Sequence, residues 1–146
     1  MTRPVTPLLT VDAVIELPER DGCPIVLIER KHEPLGLALP GGFVDVGETV
    51  ESAVIRESLE EVGLDIRLKG ILGIYSDPVR DTRGHTVSVV FVAVASGEPN
   101  AADDAAATYV VNPEVYENLQ LVFDHAKIMQ RYMQYRAGTI TLLSAT

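Results

Sequence analysis

One stretch of this chain decides its fold: Gly42-Phe-Val-Asp-Val-Gly-Glu48, seven intervening residues, and then Arg56-Glu57-Ser-Leu-Glu60-Glu61-Val-Gly63-Leu64. The spacing of apolar residues predicts a helix from about Val50 to Val62. Gly63 is typical of the residue that follows the last helical turn, because it tolerates left-handed backbone. The Gly-rich turn before the helix allows main-chain N–H groups to approach a ligand closely.

The predicted helix places three carboxylates side by side. At about 100° per residue, one apolar side carries Ile55, Leu59 and Val62. The other side carries Glu57, Glu60 and Glu61, and like charges at these spacings cost roughly 0.2–0.5 kcal/mol per pair. Only Arg56 is close in sequence to offset them. Taken alone, this pattern is that of a solvated acidic face; together with Glu48 just upstream, it suits Mg²⁺ or Mn²⁺, which bridge to phosphates.

The segments around this stretch predict a mixed α/β layered domain that spans residues 1–146 as one unit. Two β-branched runs flank the turn at 18–22 and should pair as a hairpin. A Pro/Gly-rich stretch from 33 to 42 follows, and strands are expected after the helix. The expected strands are Val11–Leu17, Pro24–Glu29, Ile66–Tyr75, Thr86–Ala95 and Thr108–Val111, and a last helix runs from an N-cap at Asp124 to about Arg136. The final TITLLSAT is apolar but has no assigned place.

Composition excludes several classes of protein. The 146 residues are 47% hydrophobic and 23% charged, which excludes a largely disordered chain. The formal net charge of -9 opposes phosphate backbones, so nucleic acid is not an expected partner. No run approaches the roughly 18 apolar residues of a membrane span. The lone Cys23 fits a reducing compartment, and the N-terminal stretch lacks the apolar block of a signal peptide, so we expect a cytoplasmic protein.

The stretch from Gly42 to Leu64 resembles the Nudix box, with every charged and glycine position of that signature present. Ser58 stands where the family usually has an aliphatic residue, which bears on local packing more than on chemistry. The resemblance implies a Nudix fold, an α/β/α sandwich with a mixed sheet and a loop–helix–loop box. It also implies hydrolysis of a nucleoside diphosphate linked to another moiety, with Mg²⁺ as cofactor and Mn²⁺ able to substitute.

The same resemblance implies roles for individual residues. The expected metal site comprises Gly42, Glu48, Glu57, Glu60 and Glu61, with Arg56 orienting and partly neutralising the glutamates. The group that accepts the proton of the attacking water stays open. The box offers Glu57, and the loop after the fourth expected strand offers Glu98, Asp103 and Asp104, which are equally typical of a solvated loop.

Two motifs outside the box resemble the ADP-ribose pyrophosphatase branch: the run from Ser76 to His85 and Phe123-Asp124-His125-Ala126. This similarity implies conversion of ADP-ribose to AMP and ribose 5-phosphate. Arg80 and Arg83 suit a bound phosphate because guanidinium donors are forked, although pairing with Asp77 or Asp81 is the competing interpretation. Phe43 and Tyr75 are candidates for stacking on a base, or else belong to the core or its rim.

Two alternatives accompany this hypothesis. The substrate could be another nucleotide, such as a nucleoside triphosphate, NADH or a sugar nucleotide. A module that senses ADP-ribose without hydrolysing it is a second class. A homodimer is compatible with the resemblance because many relatives pair, but no stretch of the sequence demonstrates one.

Overall fold

The computed structural model describes residues 2–145, and both predicted helices and every predicted strand are present there. The helix of the box spans the predicted residues, and the last helix begins directly after Asp124. The elements are Leu8–Glu16 (β1), Ile25–Arg30 (β2), Leu37–Ala38 (β3), Gly41–Phe43 (β4), Val50–Val62 (α1), Arg67–Tyr75 (β5), Thr86–Val94 (β6), Ala105–Val111 (β7), a 3-10 helix at Pro113–Asn118, and His125–Arg136 (α2).

The strands form one mixed sheet. Its order is β3-β2-β1-β6-β5, with β4 added to β1 and β7 added to β2. The predicted hairpin of β1 and β2 is confirmed, but the two strands pair only at Glu16 and Ile25. The main partner of β1 is β6, which runs parallel to it from Leu8–Thr86 to Glu16–Val94. This parallel pairing explains why both strands read as nearly continuous apolar runs, since both are covered on two faces.

A helix covers each face of the sheet, which confirms the predicted α/β/α sandwich. One core packs α1 residues such as Val54 and Val62 against the β1 side chains Val11 and Ile15. The other core packs Ile128, Met129 and Tyr132 of α2 against side chains that point the opposite way, including Val14 and Leu72. Successive side chains of β1 point to opposite faces of the sheet, so this strand contributes to both cores.

The orientation of α1 differs from the predicted one. Leu59 was expected on the buried side, yet 54% of it is exposed. The buried positions are instead Ala53, Val54, Ser58, Glu61 and Val62. The reason lies in β4: its glycines let α1 approach on the glutamate side, so part of the acidic face points into the protein. Ser58 is fully buried, and its hydroxyl has no hydrogen-bond partner among residues 2–145.

Two further segments add to the predicted elements. β7 is longer than expected and begins at Ala105, because it pairs along most of β2. The C-terminal segment packs back on the sheet edge, where Leu143 exchanges backbone hydrogen bonds of 2.8 and 2.9 Å with Ile71 of β5. A Cβ at Gly70 would lie 2.6 Å from the Leu143 carbonyl, so glycine permits this contact. None of the helices within residues 2–145 is long and apolar enough to cross a membrane.

Candidate active site

A cavity of about 370 Å³ lies where α1, β4, the 76–85 loop and the start of α2 meet. Its lining contains carboxylates, guanidinium groups and two phenylalanine rings rather than a uniform apolar surface. The charged and aromatic lining residues are Asp12, Arg30, His32, Phe43, Asp45, Glu57, Glu61, Arg80, Asp81, Arg83, Asp104, Phe123 and His125. Such a mixture suits a ligand with a strongly anionic part and a ring system.

The acidic wall of the cavity consists of Gly42, Glu57 and Glu61. A Cβ at Gly42 would lie 2.4–2.5 Å from the carboxyl atoms of Glu57, so only glycine leaves room for that carboxylate. Glu61 is 4% exposed, and its Oε2 has no hydrogen-bond partner within residues 2–145. Burial, with the nearby charges of Glu57 and Asp12, raises the pKa of Glu61 to about 9.

Arg56 pairs with the remaining glutamates of the box. Its Nε and Nη2 donate to the two carboxylate oxygens of Glu48, at 3.0 and 2.5 Å, and Nη1 donates to Glu57 at 2.9 Å and to Glu60 at 3.2 Å. The Arg56 hydrogen bonds lower the pKa of Glu48 to about 2. Glu48 and Glu60 are absent from the described cavity lining. Of the five expected metal ligands, the structure therefore brings three together in the cavity: Gly42, Glu57 and Glu61.

The carboxylates are not arranged as a ready-made metal cage. No three His, Cys, Asp or Glu side chains within residues 2–145 stand where they could jointly hold an ion. Glu48, Glu57 and Glu60 turn toward Arg56, which neutralises part of their charge. The buried, unpartnered oxygen of Glu61 nevertheless fits a divalent cation, because a desolvated carboxylate beside other acids gains most from a positive ion.

The guanidinium wall consists of Arg30, Arg80 and Arg83. Arg80 is not the exposed loop arginine that its sequence context suggested, since its side chain is only 4% exposed. It donates twice to Asp124, at 2.9 and 2.7 Å, and once to the Thr86 hydroxyl at 2.8 Å. The competing interpretation, pairing with Asp77 or Asp81, therefore does not apply to Arg80, whose partner is Asp124. Asp124 precedes α2 but makes no side-chain cap, because its carboxylate is engaged by Arg80.

Arg83 is the more accessible arginine of this wall. It does pair with Asp81, at 3.0 and 2.8 Å, and its side chain remains 43% exposed. Its guanidinium carbon also lies 5.7 Å from the Phe43 ring centre and 5.3 Å from that of Phe123. Arg30, which sequence reasoning missed, lies 5.0 Å over Phe123. Arginine side chains and aromatic rings thus form one continuous stack along the cavity.

Asp12 and His125 form the polar floor of the cavity. Asp12 accepts a hydrogen bond from Ser88 at 2.5 Å, and burial raises the pKa of Asp12 to about 7. His125 accepts the Leu39 N–H on its Nδ1 at 3.0 Å, so the neutral ring carries its proton on Nε2, 3.7 Å from Asp12 Oδ1. Burial lowers the pKa of His125 to about 3.

The floor was missed by sequence reasoning, although a signal was present. Asp12 and Ser88 are lone polar residues inside the apolar runs of β1 and β6, and such residues need a partner when buried. The parallel register of these strands brings the two residues within hydrogen-bonding distance. His125 was named in a motif, but the sequence did not link it to Asp12.

Other expected residues lie elsewhere. Tyr75 is absent from the described cavity lining and packs against the core on the α2 side, which agrees with the alternative that it belongs to the core or its rim. Its position near the end of β5 points the ring away from the acidic wall's face of the sheet. Of the loop acids, Asp104 lines the cavity, whereas Glu98 pairs with Arg20 at 2.8 Å and Asp103 is not in the lining.

Comparison with known proteins agrees with this arrangement. The family model of the NUDIX domain matches residues 6–132. The chain is 46% identical over 136 residues to an ADP-ribose pyrophosphatase of Methanocaldococcus jannaschii. The aligned region covers 90% of this chain and 76% of the relative.

Solved structures share the fold. The NUDIX domain of Shewanella oneidensis NrtR, complexed with ADP ribose, superposes with a TM-score of 0.79 at 25% identity and covers 90% of each chain. A MutT/nudix family protein of Enterococcus faecalis gives a TM-score of 0.81 at 28% identity; the match covers 94% of this chain and 65% of that one. The box, the sandwich and these similarities lead to one conclusion: the chain belongs to the Nudix hydrolase family.

Proposed function

We propose that this Nudix hydrolase cleaves the pyrophosphate of ADP-ribose to give AMP and ribose 5-phosphate. The observation that carries the proposal is the juxtaposition of acidic and guanidinium walls in one cavity, which suits a pyrophosphate neutralised by cations. The relative that is 46% identical is an ADP-ribose pyrophosphatase, and the superposed Shewanella domain is complexed with ADP ribose. Both support this substrate over another nucleotide.

Gly42, Glu57 and Glu61 would hold a divalent cation, Mg²⁺ or Mn²⁺, with Glu48 and Glu60 recruited if Arg56 releases them. The fit rests on the unpartnered oxygen of Glu61 and on the space that Gly42 leaves beside Glu57. When bound, such a cation neutralises charge on the pyrophosphate and makes a bound water more acidic. Arg56 offsets part of the repulsion among the carboxylates of Glu48, Glu57 and Glu60.

The remaining residues orient the substrate. Arg83 presents an accessible guanidinium to a phosphate, and Arg80 fixes the Thr86 and Asp124 side chains behind it.

In the reaction, a water oxygen bonds to phosphorus, the bridging P–O bond breaks, and the water proton passes to a carboxylate. Glu57 and Asp104 are the two candidates for that carboxylate that line the cavity.

A product assay tests the proposal. The protein with Mg²⁺ is incubated with ADP-ribose, NADH, sugar nucleotides and nucleoside triphosphates in heavy-oxygen water, and products are identified by mass spectrometry. We expect selective conversion of ADP-ribose to AMP and ribose 5-phosphate, with one product labelled at phosphate. Preference for a triphosphate or another dinucleotide would refute the substrate. Tight ADP-ribose binding without turnover of any nucleotide would favour a sensor instead.

Three broader proposals accompany this one. The chain forms a single Nudix domain across residues 1–146, works in the cytoplasm, and does not take nucleic acid as a partner, since its net charge is -9. A homodimer stays a prediction, which light scattering during size-exclusion chromatography would test.

A further inference from the structure

A second hollow continues the cavity on the far side of Arg83. It has a volume of about 440 Å³ and shares Phe43, Asp81, Arg83 and Thr86 with the first one. Its own walls come from the N-terminal segment, including Val5 and Leu8, and from His85. We define this second hollow as the N-terminal groove.

The N-terminal groove differs chemically from the cavity. The charged pair in its lining, Asp81 and Arg83, is joined by two hydrogen bonds, so the pair leaves no net charge for a ligand to neutralise. Much of the rest of its lining is apolar and uncovered: Val5 is 101%, Leu8 60% and Phe43 43% exposed. Surfaces of this kind bind flat, uncharged groups better than phosphates.

Of the two phenylalanines that line the cavity, Phe43 is the more exposed. Phe123 is surrounded, with Arg30 and Arg83 within 5.3 Å of its centre and the His125 ring at 5.3 Å. Among residues 2–145, Phe43 has one such neighbour, Arg83, and it borders both hollows. Because Phe43 lines the cavity together with Glu57 and Glu61, its ring lies within reach of a group attached to a phosphate bound there.

The sheet fixes the part of the groove that Leu8 and His85 form. The Leu8 N–H donates to the His85 carbonyl at 3.2 Å, and the β1–β6 ladder starts with the pair Leu8–Thr86. The His85 ring is fixed in turn by the Ser76 carbonyl at 2.9 Å. A preformed site of this kind loses little entropy when a rigid ring enters it.

We propose that the N-terminal groove is the subsite for the nucleobase of the substrate, with the base stacked on Phe43 between Leu8 and His85. This inference rests on the proposed function for the identity of the base, adenine. It places the two halves of ADP-ribose on either side of Arg83, with the base in the groove and the pyrophosphate in the cavity. The cavity alone, at about 370 Å³, is at the small end of ligand sites.

Two products of the proposed reaction separate base binding from phosphate binding. AMP carries both a base and a phosphate, whereas ribose 5-phosphate carries only the phosphate. Titration calorimetry with Mg²⁺ measures the affinity of each for the wild type and for Phe43→Ala, Leu8→Ala and Tyr109→Ala. Tyr109 is the matched control, because it is 44% exposed on β7 and absent from the lining of both hollows.

We expect Phe43→Ala to weaken AMP about tenfold, the scale of one lost stacking contact, and to change ribose 5-phosphate less than twofold. Leu8→Ala should weaken AMP by about threefold, since it removes apolar contact but no ring. Tyr109→Ala should change neither ligand. Phe43→Leu keeps the bulk of the side chain and should still weaken AMP, which separates stacking from packing.

Three results would overturn the subsite. One is unchanged AMP affinity in Phe43→Ala. Another is an equal loss for AMP and ribose 5-phosphate, which would mean that Phe43 acts through Arg83 on the phosphate. The third is loss of AMP binding in His125→Gln but not in Phe43→Ala, which would place the base on the polar floor. Because binding is measured directly, the subsite can be tested even if ADP-ribose is not hydrolysed. If ADP-ribose is hydrolysed but Phe43→Ala leaves AMP affinity unchanged, the subsite is refuted and the proposed function stands.

Discussion

The acidic wall and the guanidinium wall line the same cavity but are built in different ways. The acidic wall is local: Gly42, Glu57 and Glu61 lie on a short strand and the helix that follows it. The guanidinium wall draws Arg30, Arg80 and Arg83 from β2 and the 76–85 loop, and Asp124 secures Arg80 from the start of α2. The acidic wall therefore contains a buried carboxyl oxygen without a hydrogen-bond partner among residues 2–145, whereas the charges of Arg80 and Arg83 are paired within the protein.

A buried carboxyl oxygen without a partner suits a site that takes up a cation, whereas paired charges suit a rigid binding surface. Glu61 keeps a buried oxygen without a partner in the described chain, and its pKa is raised to about 9 by burial. Arg80 has the opposite environment, with Asp124 and Thr86 accepting its hydrogen bonds. Substitutions in the acidic wall should therefore affect turnover, and substitutions in the guanidinium wall should affect stability or affinity.

The largest effect is expected in the acidic wall. Glu57→Gln and Glu61→Gln should each lower kcat/KM by roughly 10³-fold, because each removes a carboxylate proposed to hold the cation that neutralises the pyrophosphate. Glu60→Gln should cost far less, about tenfold, since its side chain is 44% exposed and lies outside the described cavity lining. Steady-state kinetics on ADP-ribose measures all three. A Glu60 effect equal to that of Glu61 would contradict the proposed geometry of the wall.

Arg80→Ala should act first on stability. Removing one partner of a buried ion pair costs about 3–5 kcal/mol of unfolding free energy, because Asp124 is left buried and unpaired. Urea denaturation followed by circular dichroism measures this loss. Arg20→Ala is the control: it breaks an exposed pair with Glu98, worth about 1 kcal/mol or less. Equal losses in the two variants, or a change confined to KM, would mean that Arg80 is a substrate ligand instead.

The burial of His125 in the polar floor makes the free energy of unfolding depend on pH. Its pKa is about 3 in the folded protein and 6.5 ordinarily, so its contribution to stability is full above pH 6.5 and is lost as the pH falls toward 3. Each pH unit in that window removes at most about 1.4 kcal/mol. Asp12, whose pKa is raised to about 7, contributes in the opposite direction.

The difference between the wild type and His125→Gln isolates the histidine contribution. The stability advantage of the wild type over the variant should shrink between pH 6.5 and pH 4.5, as measured by urea denaturation at each pH. A constant difference across this range would show that His125 is not held neutral by burial.

The smallest effect is expected at Arg83. Arg83→Ala should raise KM for ADP-ribose about tenfold and leave kcat within about twofold, because the guanidinium binds a phosphate without entering the reacting bonds. Arg67→Ala, an exposed arginine on β5 outside the described cavity lining, should change neither constant. A fall in kcat with KM unchanged would place Arg83 in the transition state rather than in ground-state binding.

The same contrast explains what the sequence could predict. The structure of the box could be predicted because its sequence pattern is local. The bounds of α1 follow from periodicity, and Gly63 ends the helix with a φ of 68°. Which side of α1 is buried could not be predicted, since it depends on how closely β4 approaches the glutamates. The partner of Arg80 was also hidden, because Asp124 is 44 residues away along the chain. The sequence left Tyr75 open between base stacking and the core for a related reason: strand alternation does not say which face of a sheet carries the site.

The central claim is that the acidic wall takes up a divalent cation through Glu57 and Glu61. Titration of Mn²⁺ into the protein, followed by electron paramagnetic resonance of the free ion, tests it without reference to any substrate. We expect the wild type and Arg83→Ala to bind Mn²⁺ alike, and the double variant Glu57→Gln/Glu61→Gln, folded by circular dichroism, to lose at least tenfold in affinity. Unchanged Mn²⁺ binding in that double variant would contradict the assignment of the wall.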